Sequence, residues 1–215
     1  MEQNLTHCPN CNTKLNSALF NPIYILGENQ TRLINLFRQA NASAYCSKCG
    51  KDLYEKVLYE YKDEKIKLQK SIEELFGCIP VITLQSPSNW EYEVVDMVTG
   101  QSTTGTGVFS EFSSSFNDLL GTQSGSYNRK LRFGENLCKA QLRKQALSLG
   151  ADAVIGTDID YSEVGGEKGM LMVCMAGTAV RLKNISILGS EQSRELEHLK
   201  KMYDRLRVLN SCKLD

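Results

Sequence analysis

The chain has 215 residues, of which 41% are hydrophobic and 23% are charged, a balance typical of one or two globular domains. Basic and acidic residues are equal in number, so the formal net charge is zero and nothing global attracts the protein to nucleic acid or to an anionic membrane. No basic stretch precedes an apolar one at the N-terminus, and the longest apolar run, residues 169–180, is too short to span a bilayer. We therefore expect a cytoplasmic protein with reduced cysteines.

Four of the eight cysteines lie within the first 50 residues, as two C-x-x-C pairs. Two such turns commonly supply the four thiolates of a tetrahedral zinc site. The 34 residues between the pairs exceed the gap of about 15–20 residues that is usual in zinc ribbons. A short helix predicted over residues 31–43 explains the excess as an insertion. Residues 1–50 therefore predict a zinc-ribbon-like unit with structural Zn²⁺ bound by Cys8, Cys11, Cys46 and Cys49.

Other chemistry for these cysteines is less consistent with the sequence. A thioredoxin-like redox motif follows a strand, and no strand is predicted before Cys8. A disulfide does not suit a reducing compartment, whereas another thiophilic metal remains open. Four protein ligands leave no coordination position for catalysis. So small a unit is expected to lack an apolar core, so that the metal supplies on the order of 10 kcal/mol of its folding free energy. Gly50 is expected to permit the tight turn after the second pair.

Residues 51–78 predict a linker helix that ends at Gly77 and Pro80. Its apolar positions follow steps of three and four residues, a heptad seam that could form a coiled coil or lie on the next domain. The seam consists of Tyr54, Leu58, Tyr61, Lys65, Leu68, Ile72 and Leu75.

The region from residue 79 to 188 predicts an α+β domain, a small antiparallel sheet packed on a long helix. Strands are expected at 81–86 and 92–100, with a turn at Gly105–Gly107 and a Ser-rich segment at 110–126. A helix over 126–149 should end at Gly150. A hairpin should join a strand over 151–161 to a strand over 171–182, which is apolar on both faces and should be covered on both. Residues 189–215 predict a C-terminal amphipathic helix.

The segments GTQSGSYNRKL (121–131), LCKAQLRKQALSLGADAVIGTDIDY (137–161) and GMLMVCMAGTAVRL (169–182) together resemble the YbjQ-like family, also called heavy-metal-binding domains. The resemblance covers about residues 79–183. It implies a small α+β domain that assembles into a ring-shaped homo-oligomer, commonly a pentamer, with no established biochemical role. The chain differs from the simplest members because a zinc ribbon and a helix precede the domain and a helix follows it.

Two apolar stripes on the long helix independently favour oligomerisation, because one can pack on its own sheet while the other needs a neighbouring subunit. The first stripe consists of Tyr127, Leu131, Cys138, Leu142 and Leu149, and the second of Phe133, Leu137, Ala140 and Leu147.

Three other groups could carry chemistry but are explained as well by ordinary structure. The sulfur-containing side chains of the last strand, three methionines and one cysteine, could bind copper or another thiophilic metal, yet they suit an apolar core. The acidic group could bind a hard cation, yet it suits the polar face of a strand whose apolar face holds Ala153, Ile155, Ile159 and Tyr161. The basic group could contact RNA or an acidic partner, yet it suits a solvated helix face or ion pairs between subunits. These groups are Met170, Met172, Cys174 and Met175; Asp158, Asp160 and Glu163; and Arg129, Arg132, Lys139 and Arg143.

The sequence thus favours a non-enzymatic, homo-oligomeric zinc-containing binding or scaffold protein with no catalytic residues and no organic cofactor. Its expected partners are other copies of itself and a protein bound through the zinc ribbon. The first alternative is a heavy-metal sensor or sequestration protein. The second is an enzyme at a subunit interface that uses Asp158 or Asp160.

Overall fold

A computed structural model describes residues 5–104, 125–164 and 170–214. Contacts divide the chain into two compact units, residues 1–73 with 201–215, and residues 74–200. The predicted turn at Gly105–Gly107, most of the Ser-rich segment and the turn between the last two strands lie outside the described residues. The elements in chain order are α1 Glu28–Arg38, α2 Ser47–Leu75, β1 Tyr92–Thr104, α3 Gly125–Ser148, β2 Ala153–Val164, β3 Met170–Leu182 and α4 Ser190–Ser211.

The first unit has an apolar core, and the expectation that it lacks one is wrong. One cluster joins α1, α2 and the end of α4 through Leu33, Val57 and Leu209, which are at most 1% exposed. A second cluster packs Ile34 against Tyr45 beside the second cysteine pair. The prediction failed because it considered residues 1–50 alone, whereas α2 and the last turns of α4 complete the core.

The heptad seam of α2 packs against other residues of the same chain. Tyr61 is buried in the first cluster, and Tyr54, Leu58 and Leu68 pack against it. The Tyr61 hydroxyl donates a hydrogen bond of 3.3 Å to the carbonyl oxygen of Leu209. Packing of the seam therefore does not require a second copy of α2.

The second unit is a three-stranded antiparallel sheet with α3 on one face, and the predicted α+β class is confirmed. The central strand, β3, pairs with β1 on one side and with β2 on the other. The chain passes from one edge strand through α3 to the other edge and returns by a hairpin to the centre. Two glycines let α3 approach the sheet, because a Cβ on Gly100 would lie 2.6 Å from the Cys138 carbonyl oxygen and one on Gly134 would lie 2.7 Å from Val173.

The end of α3 is the predicted glycine cap. Gly150 has a φ of +70°, which favours glycine. Its amide donates to the Leu147 carbonyl, and the Ala151 amide donates to the Ala146 carbonyl, the paired bonds of a Schellman motif.

Two strand predictions are wrong. Residues 81–86 form no separate strand, although Ile82 donates a hydrogen bond of 2.9 Å to the Val154 carbonyl along the edge of β2. Pro80, which precedes this segment, has no backbone N–H and so cannot donate a hydrogen bond to β2. In β2, a register shift between Ile155 and Asp158, with Gly156 at a φ of +59°, breaks the predicted alternation. The shift places Ile159 and Tyr161 opposite Met175 and Val173, whereas Ala153 and Ile155 lie opposite Val180 and Thr178, so the four residues do not share one face as predicted. Tyr161 is 49% exposed.

No helix within the described ranges is both long and apolar enough to cross a membrane.

Candidate metal centre

The first cysteine pair lies in a tight turn close to the start of the described chain. The Cys8 amide donates to the Thr13 carbonyl, and the Asn12 amide donates to the Cys8 carbonyl, both at 2.8 Å. Asn12 adopts the left-handed conformation, with a φ of +56°, which asparagine tolerates better than most residues. These constraints turn the Cys8 and Cys11 side chains towards one point.

The second pair lies where α2 begins. Cys46 forms an isolated antiparallel β-bridge with Ile25. Cys49 lies in the first turn of the helix, which starts at Ser47. The Gly50 amide donates to the Cys46 carbonyl at 2.8 Å. Gly50 is helical, so the expectation that it serves an unusual turn is wrong. A Cβ at this position would lie 2.6 Å from both Leu26 and Tyr45, and glycine is needed for close packing.

The four sulfurs have the spacing of a tetrahedral metal site. The Cys8–Cys49, Cys11–Cys46 and Cys46–Cys49 Sγ pairs are each 3.7 Å apart, and all four sulfurs lie within 4.8 Å of one another. Four sulfurs bound to zinc at about 2.3 Å lie about 3.8 Å apart. A disulfide needs a separation of about 2.05 Å, so all four are free thiols in this structure.

Burial and charge divide the cluster into an inner and an outer side. Cys8 and Cys46 are buried at 2% and 0% exposure, whereas Cys49 is half-buried and Cys11 exposed. A hydrogen bond with the Thr13 side chain, 3.2 Å away, lowers the pKa of Cys11 to about 6. Burial raises the pKa of Cys49 to about 12 despite a contact with the Asn10 amide. A cation at the centre would favour the thiolate form of every cysteine.

The donor set fits zinc or another thiophilic divalent metal. Four thiolates at tetrahedral spacing satisfy one ion completely, as expected for a structural site. His7 is not part of the cluster, and its exposed ring nitrogen lies 3.0 Å from the Thr6 hydroxyl. The four cysteines predicted from their spacing are therefore brought together in one cluster that could hold a metal ion.

The structure adds two side chains that the sequence reasoning missed. Asn10 contacts the Cys49 sulfur and Thr13 contacts the Cys11 sulfur, the two sulfurs on the outer side of the cluster. The signal in the sequence was their position, because both lie within five residues of Cys8 in CPNCNT and carry polar hydrogen atoms.

The second group of soft side chains is split between the two faces of the sheet. Met175 is buried at 2% exposure, whereas Cys174 and Met172 are half-buried on the opposite face. Around Cys174 and Met172 that face is open, although Val180 on the same face is buried, so β3 is only partly covered within the described residues. The side chains of Met170 and Glu163 lie outside the description.

Asp158 and Asp160 are exposed on the same open face, next to Ala176 and Cys174 of the central strand. They line a shallow cleft of about 140 Å³ together with Thr99. In the described part of the chain, the four-cysteine cluster is the one group of three or more His, Cys, Asp or Glu side chains whose ligand atoms converge.

The basic stripe on α3 is not uniformly solvated. The Arg143 Nε donates a 2.9 Å hydrogen bond to the Ile79 carbonyl, and burial lowers the pKa of its guanidinium. This arginine has a structural role within the second unit, unlike the exposed Arg129 and Arg132.

Comparison with known proteins finds a family match within the second unit. Residues 79–183 match the model of the YbjQ-like family, described as "Putative heavy-metal-binding". The predicted resemblance over these residues is confirmed. A crystal structure of a protein of unknown function from Pediococcus pentosaceus, assigned to the DUF74 family, aligns with 49% of this chain and 98% of its own length. The identity is 23% and the TM-score is 0.33. All four cysteines of the candidate metal centre precede the matched region.

Proposed function

We propose that this chain is a non-enzymatic, homo-oligomeric binding protein in which a structural zinc ion holds a recognition unit. The convergence of four cysteine sulfurs at tetrahedral spacing carries the proposal. Because four thiolates complete the coordination of zinc, the metal stabilises the first unit and has no position left for a substrate.

A sheet surface around Met172–Ala176 that no described helix covers supports assembly of the second unit with other copies. Since α3 covers one face, the other presents Met97 at 70% exposure, the exposed Ala176 and the half-buried Met172. On α3 itself, Leu137 and Ala140 of the predicted second stripe also remain half-buried. A repeated contact between two different surfaces of this unit would close a ring, and the family resemblance suggests five subunits.

A hairpin loop in the first unit supports a protein partner. Leu19 and Phe20, at its tip, are 95% and 86% exposed. Two backbone hydrogen bonds of 3.1 Å between Asn16 and Ile23 close the loop, and Ser47 at the start of α2 bonds to its Pro22 carbonyl. Large apolar side chains displayed on a constrained loop are typical of interaction sites. Several copies on one ring would raise the apparent affinity for a partner that each copy binds weakly.

Native mass spectrometry tests the proposal because it reports subunit number and bound metal together. We expect a ring, five subunits by resemblance, with one zinc per subunit. Substituting Ala176→Arg on the open face should give monomers that retain zinc. The control Gln85→Arg, an exposed position outside the sheet, should leave the ring intact. A wild-type monomer at micromolar concentration would refute the oligomeric proposal, and a metal-free native protein would refute the zinc site.

A heavy-metal sensor or sequestration protein is the second candidate. The placement of Cys174 beside Asp160 on the open face, with Met172 two residues away, favours it. It predicts uptake of copper(I) or cadmium beyond one metal per chain, with the excess lost in the double variant Met172→Ala and Cys174→Ala. Elemental analysis that finds one zinc and no further uptake would remove this candidate.

A further inference from the structure

The metal centre carries more hydrogen-bonding structure than its four ligands. Zinc with four thiolates has a net charge of −2, and the outer sulfurs, Cys11 and Cys49, are also the ones least enclosed by protein. Groups that donate hydrogen bonds to such sulfurs disperse this charge and orient the ligands, and their loss typically weakens metal binding 10- to 100-fold.

Each outer sulfur has one such side chain. The Asn10 Nδ2 lies 3.6 Å from Cys49 Sγ and donates to it across the two cysteine pairs. The Thr13 Oγ1 lies 3.2 Å from Cys11 Sγ, and its hydroxyl is able to donate once that sulfur is a metal-bound thiolate. Both side chains belong to the turn of the first cysteine pair. This turn therefore supplies two ligands, a hydrogen bond to its own Cys11 and a hydrogen bond to Cys49 of the second pair.

We propose that Asn10 and Thr13 are positioning residues of the metal centre, whose side-chain hydrogen bonds to Cys49 and Cys11 set its affinity for zinc. The inference rests on the proposed metal site. Asn10 has the larger geometric role, because its contact joins residues 39 positions apart and holds the start of α2 against the first turn. Thr13 acts within its own turn, where its carbonyl already accepts from Cys8.

Matched substitutions separate hydrogen bonding from shape. Asn10→Asp keeps the shape but removes both amide donors and adds a negative charge, whereas Asn10→Ala removes the side chain. Thr13→Val is nearly isosteric and lacks the hydroxyl, and Thr13→Ser restores it. Asn12→Gly is the control, because the Asn12 side chain makes no hydrogen bond to a sulfur in the described chain and glycine accepts its φ of +56°.

The affinity of the full chain for Zn²⁺ is measured by competition with a chromogenic chelator. We expect affinity to fall about tenfold in Asn10→Ala and Thr13→Val and further in Asn10→Asp, with wild-type values in Thr13→Ser and Asn12→Gly. Co²⁺-loaded protein gives an independent spectroscopic reading. Removing a hydrogen bond raises the energy of the sulfur lone pair, so the sulfur-to-cobalt charge-transfer band should move to longer wavelength in Thr13→Val and return in Thr13→Ser.

The results distinguish this inference from the proposed metal site. If the wild type binds zinc tightly while Asn10→Ala and Thr13→Val match it within twofold and keep its cobalt spectrum, the inference is wrong and the site stands. If the wild type binds no metal, the proposed site fails first. Equal losses in Thr13→Val and Thr13→Ser would also overturn the inference, because the hydroxyl would then be irrelevant.

Discussion

Removing the metal should unfold the turn of the first cysteine pair and leave the helices of the first unit intact. Across residues 6–15, Cys8 is the one buried side chain. Three backbone hydrogen bonds hold this segment, donated by Cys8, Asn12 and Leu15 at 2.8–2.9 Å. The helical cluster around Val57 and Leu209 has no such dependence, because it is built from apolar contacts.

The free energy that the metal must supply follows from the number of residues ordered and the number of hydrogen bonds formed. Ordering about ten backbone residues costs on the order of 10–20 kcal/mol, and three hydrogen bonds offset about 1 kcal/mol each. The difference, on the order of 10 kcal/mol, lies in the range that structural zinc supplies to small domains. In contrast, four side chains at most 4% exposed support the helices, each stabilising them by about 1.5–3 kcal/mol without metal: Leu33, Val57, Tyr61 and Leu209.

Hydrogen exchange read by mass spectrometry measures the difference directly. After chelation, with metal loss verified by elemental analysis, peptides within residues 5–15 should exchange at the rate of an unfolded chain. Peptides from the middle of α2 and from residues 205–211 should keep their protection. The reasoning is refuted if the first turn stays protected without metal, or if α2 loses protection together with it.

Three further predictions concern the second unit. Substituting Gly100→Ala should destabilise it by about 1–3 kcal/mol in urea titration, since the added Cβ would meet the backbone of Cys138 at 2.6–2.9 Å and neither chain can move aside easily; wild-type stability would contradict the close packing of α3 on β1. The Gln145 amide both accepts from and donates to the Thr99 backbone, so Gln145→Ala should speed exchange of the Thr99 amide, and unchanged exchange would show that this contact does not protect the strand edge. Burial raises the pKa of Cys78 and Cys138 from 9.0 to about 11 each, so the stability that these two neutral thiols contribute should be constant below pH 9 and fall as pH rises from 9 towards 11, because over that range the unfolded state releases their protons while the folded state keeps them. A midpoint that stays constant from pH 8 to 11 would contradict this.

Features set by neighbouring residues were predictable from the sequence. The convergence of the four cysteines follows from their spacing, and the end of α3 follows from Gly150, whose required conformation depends on its own turn. The order of strand, helix and hairpin follows from the change between helical and alternating hydrophobic periodicity.

Features set by contacts between distant parts of the chain were not predictable. Val57 is fully buried but lies outside the heptad seam, because its partner Leu209 belongs to a helix more than 150 positions away. Likewise β3 is apolar on both faces, so its periodicity could not show that Val173 and Met175 lie on the covered face while Cys174, on the other face, is only half-buried. The role of Gly50 depended on Leu26 and Tyr45 approaching it, which local sequence does not encode.

The two indications of metal binding in this protein concern different residues. The family described as heavy-metal-binding matches residues 79–183, whereas the four converging sulfurs belong to residues 8–49. Within the described part of the matched region, no three His, Cys, Asp or Glu ligand atoms converge. The cysteine cluster therefore cannot be the basis of the family's description, and the family's description adds no support for zinc at the cluster. Metal stoichiometry has to be measured separately in a Cys46→Ser variant and in a Cys174→Ala variant, because each removes one candidate site and leaves the other unchanged.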